Sequence, residues 1–258
     1  IGSGPAGIAA ALEASNKKLD TILVEQDFEI GGDLLTNDSK NLKENISELK
    51  NQNVRIMKRT TAFGLYDSCV VGLCERVTDH QEKISNFEPR QRFWTIRAKT
   101  IILATGSFER QIAFGNNDLP GIMTSSSILT YLNRFSVLAG KKITFCTNND
   151  SSYSCALEMS KVGAEVKIFD ARNKIDNNLS EKVLEKGIGL QINTAPLKAK
   201  GSREIKFLEL AKYNNEKWSK QGKEECDLLA ISGGWSPIIH LFSHRGIKPK
   251  WDNENACF

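Results

Sequence analysis

The stretch IGSGPAG, Ile1–Gly7, places glycines at Gly2, Gly4 and Gly7, the spacing G-x-G-x-x-G. In a strand–turn–helix unit each glycine has a separate task. Gly2 permits the tight turn, Gly4 lets a pyrophosphate approach the backbone, and Gly7 lets the helix pack closely on the sheet. Ser3, Pro5 and Ala6 fill the intervening places, and proline suits a helical first turn. Residues 5–15 then carry Ala, Ile and Leu at helical spacing. The helix N-terminus would offer unpaired N–H groups and a positive dipole to phosphates.

The next strand, DTILVEQ (20–26), ends in Glu25 and Gln26, with Glu25 eighteen residues after Gly7. An acid there is placed to bond the adenosine ribose hydroxyls. A carboxylate would also repel a 2′-phosphate, which disfavours NADP. It does not separate NAD from FAD, because both carry a free adenosine ribose. A later apolar run, IILATGS (101–107), reads as a buried strand delivering the small turn Ala104-Thr105-Gly106 beside the first motif.

A second cycle begins near residue 141. GKKITFCTNN (140–149) reads as a strand, 152–163 as a helix and AEVKIFDAR (164–172) as a strand, together a βαβ unit. Its turn, TNNDSSYS (147–154), has no glycine, so its side chains would obstruct a pyrophosphate. Asp170 ends the second strand without that turn, and the unit is expected to be an empty nucleotide fold. Between the cycles, 38–52 reads as a polar amphipathic helix, 62–77 as one or two strands, 78–92 as a polar turn and 93–106 as two strands. Residues 179–213 continue as helix, strand and strand. CDLLAISGGWSP (226–237) reads as a buried strand with a Gly-Gly turn.

The chain has 258 residues, 40% hydrophobic and 26% charged, enough for a core of ordinary size in one large or two medium domains. Its 35 basic and 31 acidic residues leave a net charge of +4, and the lysines are scattered. That argues against nucleic acid as a partner. No run of about eighteen apolar residues suggests a membrane span. The six cysteines lack metal-ligand spacing, and several lie in apolar runs as small hydrophobes, as in a reduced, cytoplasmic protein. Cys69 and Cys74 have C-x4-C spacing, but far from the Gly31-Gly32 pair, and core thiols are the reading. His80 sits in a polar turn. His240 and His244, at i and i+4, face a cofactor or metal, or else solvent, and Trp235 packs on either a nucleotide or the core.

Several phrases carry a more specific resemblance: GGDLL (31–35), ATGSFERQIAFGNNDLPGIM (104–123), TNNDSSY, VKIFDAR and ISGGWSPIIHLFSHRGIKPKWD (231–252). With the G-x-G-x-x-G turn and Glu25, the chain resembles the two-dinucleotide-binding flavoproteins, and within them the α subunit of heterotetrameric sarcosine oxidase. The resemblance implies an α/β fold: a Rossmann-like FAD/NAD(P)-binding domain at 1–115 and 226–258, with a second βαβ domain inserted at 116–225. It implies a binding site of Gly2, Ser3, Gly4, Pro5, Ala6, Gly7, Glu25, Gln26, Gly32, Ala104, Thr105 and Gly106. It implies NAD (or FAD) at the first motif, FMN at an interface with a β subunit, an amine substrate handled by the complex, and tetrahydrofolate as one-carbon acceptor. Catalytic residues are not assigned to this chain. The first strand is expected to begin outside it, and the chain to be a piece of the subunit. Two alternatives stand: a subunit of a related proline, opine or glycine dehydrogenase, and a non-catalytic scaffold stabilised by its nucleotide.

Overall fold

A computed structural model describes residues 1–36, 42–52, 54–83 and 87–258. The chain divides into two compact units, one formed by Ile1–Phe108 with Pro237–Phe258 and the other by Glu109–Ser236.

The first unit starts with α1 (Pro5–Asn16), β1 (Ile22–Val24), α2 (Leu42–Asn51) and β2 (Arg55–Met57), followed by the antiparallel meander β3 (Thr60–Tyr66), β4 (Val70–Arg76) and β5 (Gln91–Arg97). β1 and β2 pair in parallel. Alternation along β1 explains the layering. Leu23 joins Ile8, Ala11, Ile30, Leu49 and Val54 beneath the helices, whereas Val24 joins Met57, Leu65, Val71 and Leu73 on the meander side. A strand buried on both faces has to be apolar throughout, as ILV is. The helix expected over 38–52 is present as α2, and positions 38–41 lie outside the described residues.

Short strands β6 (Ser107–Glu109) and β15 (Trp235–Pro237) lie where the chain passes between units. The second unit contains β7 (Ile122–Thr124), α3 (Ser125–Phe135), β8 (Lys142–Thr147), α4 (Ser151–Lys161), β9 (Glu165–Asp170), α5 (Asn177–Glu185), β10 (Gly189–Gln191), β11 (Thr194–Lys200), β12 (Phe207–Asn214), β13 (Lys217–Glu225) and β14 (Leu228–Ser232). Its parallel sheet runs β10-β9-β8-β14-β7, beside the antiparallel meander β11-β12-β13. The layering of the first unit recurs. Ile143, Phe145, Val166, Ile168, Leu228 and Ala230 pack toward the helices, while Cys146, Phe169, Leu229 and Ile231 pack with Leu208 and Leu210 of the meander. The expected βαβ unit is therefore β8–α4–β9.

Three expectations change. The strand of 226–237 does not return to the first unit. As β14 it pairs in parallel with both β8 and β7, so the second unit runs from Glu109 to Ser236 rather than over 116–225. All five residues of β14 are buried, and a central place between two parallel neighbours satisfies both faces and both edges. Ile101–Gly106 is not buried along its whole length. It meets the first motif at Ile1, whose N–H donates to the Ile102 carbonyl at 2.8 Å and whose carbonyl accepts the Ala104 N–H at 2.8 Å, and Ile102 is 54% exposed. Finally, β13 was not foreseen, because KWSKQGKEE has almost no buried face to mark it. After β15 come the short helix α6 (His240–Ser243) and an exposed tail.

Candidate functional site

The glycine turn assembles as its spacing predicts. Gly2 has φ +95°, and a Cβ there would lie 2.2 Å from the Ala104 carbonyl oxygen. A Cβ on Gly7 would lie 1.8 Å from the Gly2 carbonyl oxygen. Both positions are closed against any side chain. Gly4 is the opposite: extended, at φ −69° and ψ −174°, it has nothing within 4 Å of where its Cβ would stand. Gly32, at φ +55°, backs onto Gly4 and would bring a Cβ within 2.9 Å of the Gly4 Cα. The result is an open notch at Gly4 with glycine backbone on either side. Pro5 begins α1, no side chain caps that helix, and Pro5 and Ala6 are exposed on its first turn. This is the arrangement that accepts a phosphate anion.

Glu25 lies beside the notch and is 8% exposed. Its Oε2 accepts from the Ser3 N–H at 2.9 Å and the Ser3 hydroxyl at 2.6 Å, and its Oε1 accepts from the Asp27 N–H at 2.8 Å. Ser3 is wholly buried, and the Gly31 N–H reaches its carbonyl at 3.0 Å and its hydroxyl at 3.2 Å. A carboxylate offers about four acceptor positions. Among the described residues three donors engage them, two on Oε2 and one on Oε1.

Gly2, Ser3, Gly4, Gly7, Glu25, Gly32 and Ala104 thus come together. Thr105 is turned to another task, its hydroxyl donating to the Ile238 carbonyl at 2.7 Å. Gly106, at φ +70°, accepts the Ile238 N–H at 2.9 Å. Gln26 is exposed, and its carbonyl accepts from Arg76 at 2.8 Å. Sequence reading missed the parts of Gly31 and Asp27. The repeated glycine at 31–32 was the available signal for the first; the second contributes only backbone and leaves no signal.

In the second unit the corresponding turn is filled by side chains. The Asn149 amide donates to the Ser232 hydroxyl at 2.9 Å and to its carbonyl at 3.2 Å, and Asn149 Oδ1 accepts the Ser151 N–H at 3.2 Å and hydroxyl at 2.6 Å. Trp235 donates its indole N–H to the Ser151 hydroxyl at 3.0 Å, which places this tryptophan over that turn. At the strand end, Asp170 accepts from Tyr153 at 2.8 Å and from Arg172, which also reaches Asp150 at 2.7 Å. Hydrogen bonding to Asp170 holds the Arg172 guanidinium above its ordinary range.

His240, His244 and His80 are exposed, and His244 Nδ1 accepts the Leu65 N–H at 3.4 Å. All six cysteines are free thiols. Among the described residues no group of three metal-binding side chains occurs, and no helix is long and apolar enough to cross a membrane.

Comparison with known proteins agrees with this geometry. The chain is 35% identical, over its whole length, to sarcosine oxidase subunit alpha of Corynebacterium sp. (strain U-96), and 36% identical to that of Rhizobium meliloti (strain 1021). It spans 28% and 26% of those proteins, about a quarter of their length. The fold matches Lactococcus lactis thioredoxin reductase with TM-score 0.71 at 17% identity, covering all of this chain and 86% of that one. The family model described as pyridine nucleotide-disulphide oxidoreductase matches residues 1–256. A glycine turn closed at Gly2 and Gly7 but open at Gly4, repeated layering in two units, and a match over nearly every residue have one explanation: the chain belongs to the pyridine nucleotide-disulphide oxidoreductase family.

Proposed function

We propose that the first unit binds an adenine dinucleotide, NAD in preference to NADP with FAD as the alternative, and that the chain is the dinucleotide-binding portion of the α subunit of a cytoplasmic sarcosine oxidase complex. The open notch at Gly4 carries the first part of this reading. Backbone N–H groups and the uncapped α1 would meet the pyrophosphate there, and the remaining acceptor on Glu25 would take an adenosine ribose hydroxyl. The bound dinucleotide is an adenine-linked redox group, and this chain's residues seat its phosphates and ribose.

The second part rests on the identity with sarcosine oxidase alpha subunits along the whole chain. In this reading a β subunit performs the amine oxidation, an FMN lies at the α–β interface, and sarcosine is demethylated to glycine with tetrahydrofolate accepting the carbon. The domain inserted between the two parts of the first unit carries no nucleotide. The related amine dehydrogenase and scaffold alternatives predict other substrates or none.

Isothermal calorimetry on the full-length polypeptide tests the binding reading. NAD should bind at least about tenfold, or 1.4 kcal/mol, more tightly than NADP. Equal affinities would remove the assignment of Glu25, and tight FAD binding with no NAD binding would select the alternative.

A further inference from the structure

The Ser3 hydroxyl is placed where it can decide how Glu25 presents its charge. Resting on the nucleotide reading above, we infer that Ser3 is a positioning residue for dinucleotide selectivity: its hydroxyl fixes the Glu25 carboxylate so that one acceptor and the negative charge face the ribose 2′ position.

Three observations carry this. First, the Ser3 Oγ–Glu25 Oε2 contact, 2.6 Å, is the shortest of the three bonds to the carboxylate, and it joins two buried side chains. A hydrogen bond to a charged acceptor in a dry site is strong and directional. Second, the other two donors, the Ser3 and Asp27 N–H groups, are backbone, and their positions follow the turn. The hydroxyl is the one side-chain donor among them, and the one a substitution can remove. Third, its removal orphans nothing. The Gly31 N–H still meets the Ser3 carbonyl at 3.0 Å, and the Ser3 N–H still meets Oε2.

The consequence for selectivity is electrostatic. With Oε2 held by two donors and Oε1 by one, the carboxylate is fixed, and a 2′-phosphate would meet a charge that cannot swing away. Without the hydroxyl, Oε2 is held by one backbone donor instead of two, and the carboxylate plane gains freedom to rotate between its remaining bonds. The ribose hydroxyl then loses a pre-positioned acceptor, and the phosphate loses its opponent. Both changes move in the same direction, toward weaker discrimination.

The test measures NAD and NADP affinities by calorimetry on the full-length polypeptide carrying Ser3→Ala, Glu25→Gln or both, with melting temperatures recorded for each. Ser3→Ala should weaken NAD binding about five- to tenfold and lower the NAD/NADP affinity ratio about tenfold, roughly the effect of one charge-assisted hydrogen bond. In the Glu25→Gln background Ser3→Ala should leave the ratio unchanged, since no charge is there to be positioned. A purely structural serine would lower the melting temperature without moving the ratio, and that result overturns the inference. So does an equal drop in the ratio in both backgrounds. If the unsubstituted protein binds neither nucleotide, the nucleotide reading itself has failed, and the inference falls with it.

Discussion

The phenol of Tyr153 donates to the carboxylate of Asp170 at 2.8 Å, and neither side chain is exposed to solvent. The bond ties the first turns of α4 to the end of β9, where a nucleotide-binding unit would keep an acid free for ribose. Tyr153→Phe removes the donor from a buried charged acceptor and should destabilise the protein by about 2 kcal/mol in urea unfolding. Burial and the Asp170 carboxylate both raise the phenol above its ordinary range. An unfolded tyrosine ionises near pH ~10. Because the folded value is higher, the stability due to this difference is complete below about pH 10 and is lost as the pH rises from there toward the folded value. The Tyr153→Phe protein should therefore lose less stability above that pH than the unsubstituted protein.

Gly4 and Gly7 should respond to substitution in opposite ways. Gly4→Val places its side chain in open space on an extended backbone, so folding should persist while dinucleotide binding is abolished. Gly7→Ala drives a methyl group into the Gly2 carbonyl and should cost about 3 kcal/mol or more. Circular dichroism melting together with calorimetry separates the two. A Gly4→Val protein that still bound NAD would show that the notch is not the pyrophosphate seat.

One dinucleotide per chain is expected. The Asn149 and Trp235 contacts occupy the second turn, so a crystal soaked with NAD should show nucleotide at Gly2–Gly7 and none at Asn148–Ser151. A calorimetric stoichiometry near two would contradict this.

The thiols should separate by burial. Burial pushes the Cys226 thiol up to about 11 and raises Cys146 and Cys155 well above the ordinary thiol range. Cys69 and Cys74 are only partly buried. Brief alkylation near pH 8 followed by peptide mapping should label Cys69 and Cys74 first, because the thiolate is the reactive form. Early labelling of Cys146 would mean that the β8 core opens readily.

The full-length α-type polypeptide alone should not turn over sarcosine, even with NAD. No acid–base pair is assigned to this chain, and the proposed oxidation belongs to a partner. Formaldehyde and NADH are the products to follow. Activity appearing only with the β subunit supports the assignment, and steady turnover without it refutes it.

The sequence revealed most where a backbone requirement leaves a compositional mark. Gly2, Gly4 and Gly7 announce the first turn, and the apolar runs of β8 and β9 announce a parallel pair. It revealed less where the partner is remote. Nothing local to LLAIS says that its neighbours are β8 and β7, because an apolar strand fits the middle of either unit. The Ile101–Gly106 run has strand-like composition, yet composition does not state how much of its length is buried. Glu25 was legible as an acid at a strand end, whereas its engagement by Ser3 depends on a side-chain contact across twenty-two positions.

The place of β14 also fixes an order of events during synthesis. In the sheet it lies between β8 and β7, with Leu228 opposite Ile143 and Leu229 opposite Ile122. A ribosome completes β7, α3, β8, α4 and β9 long before it reaches residue 228. Until then β8 and β7 each keep an edge of unpaired backbone N–H and C=O groups that β14 will later satisfy. The sheet is thus closed from its middle, by the last strand to be made, and a nascent chain halted before that point presents two adhesive edges to its neighbours.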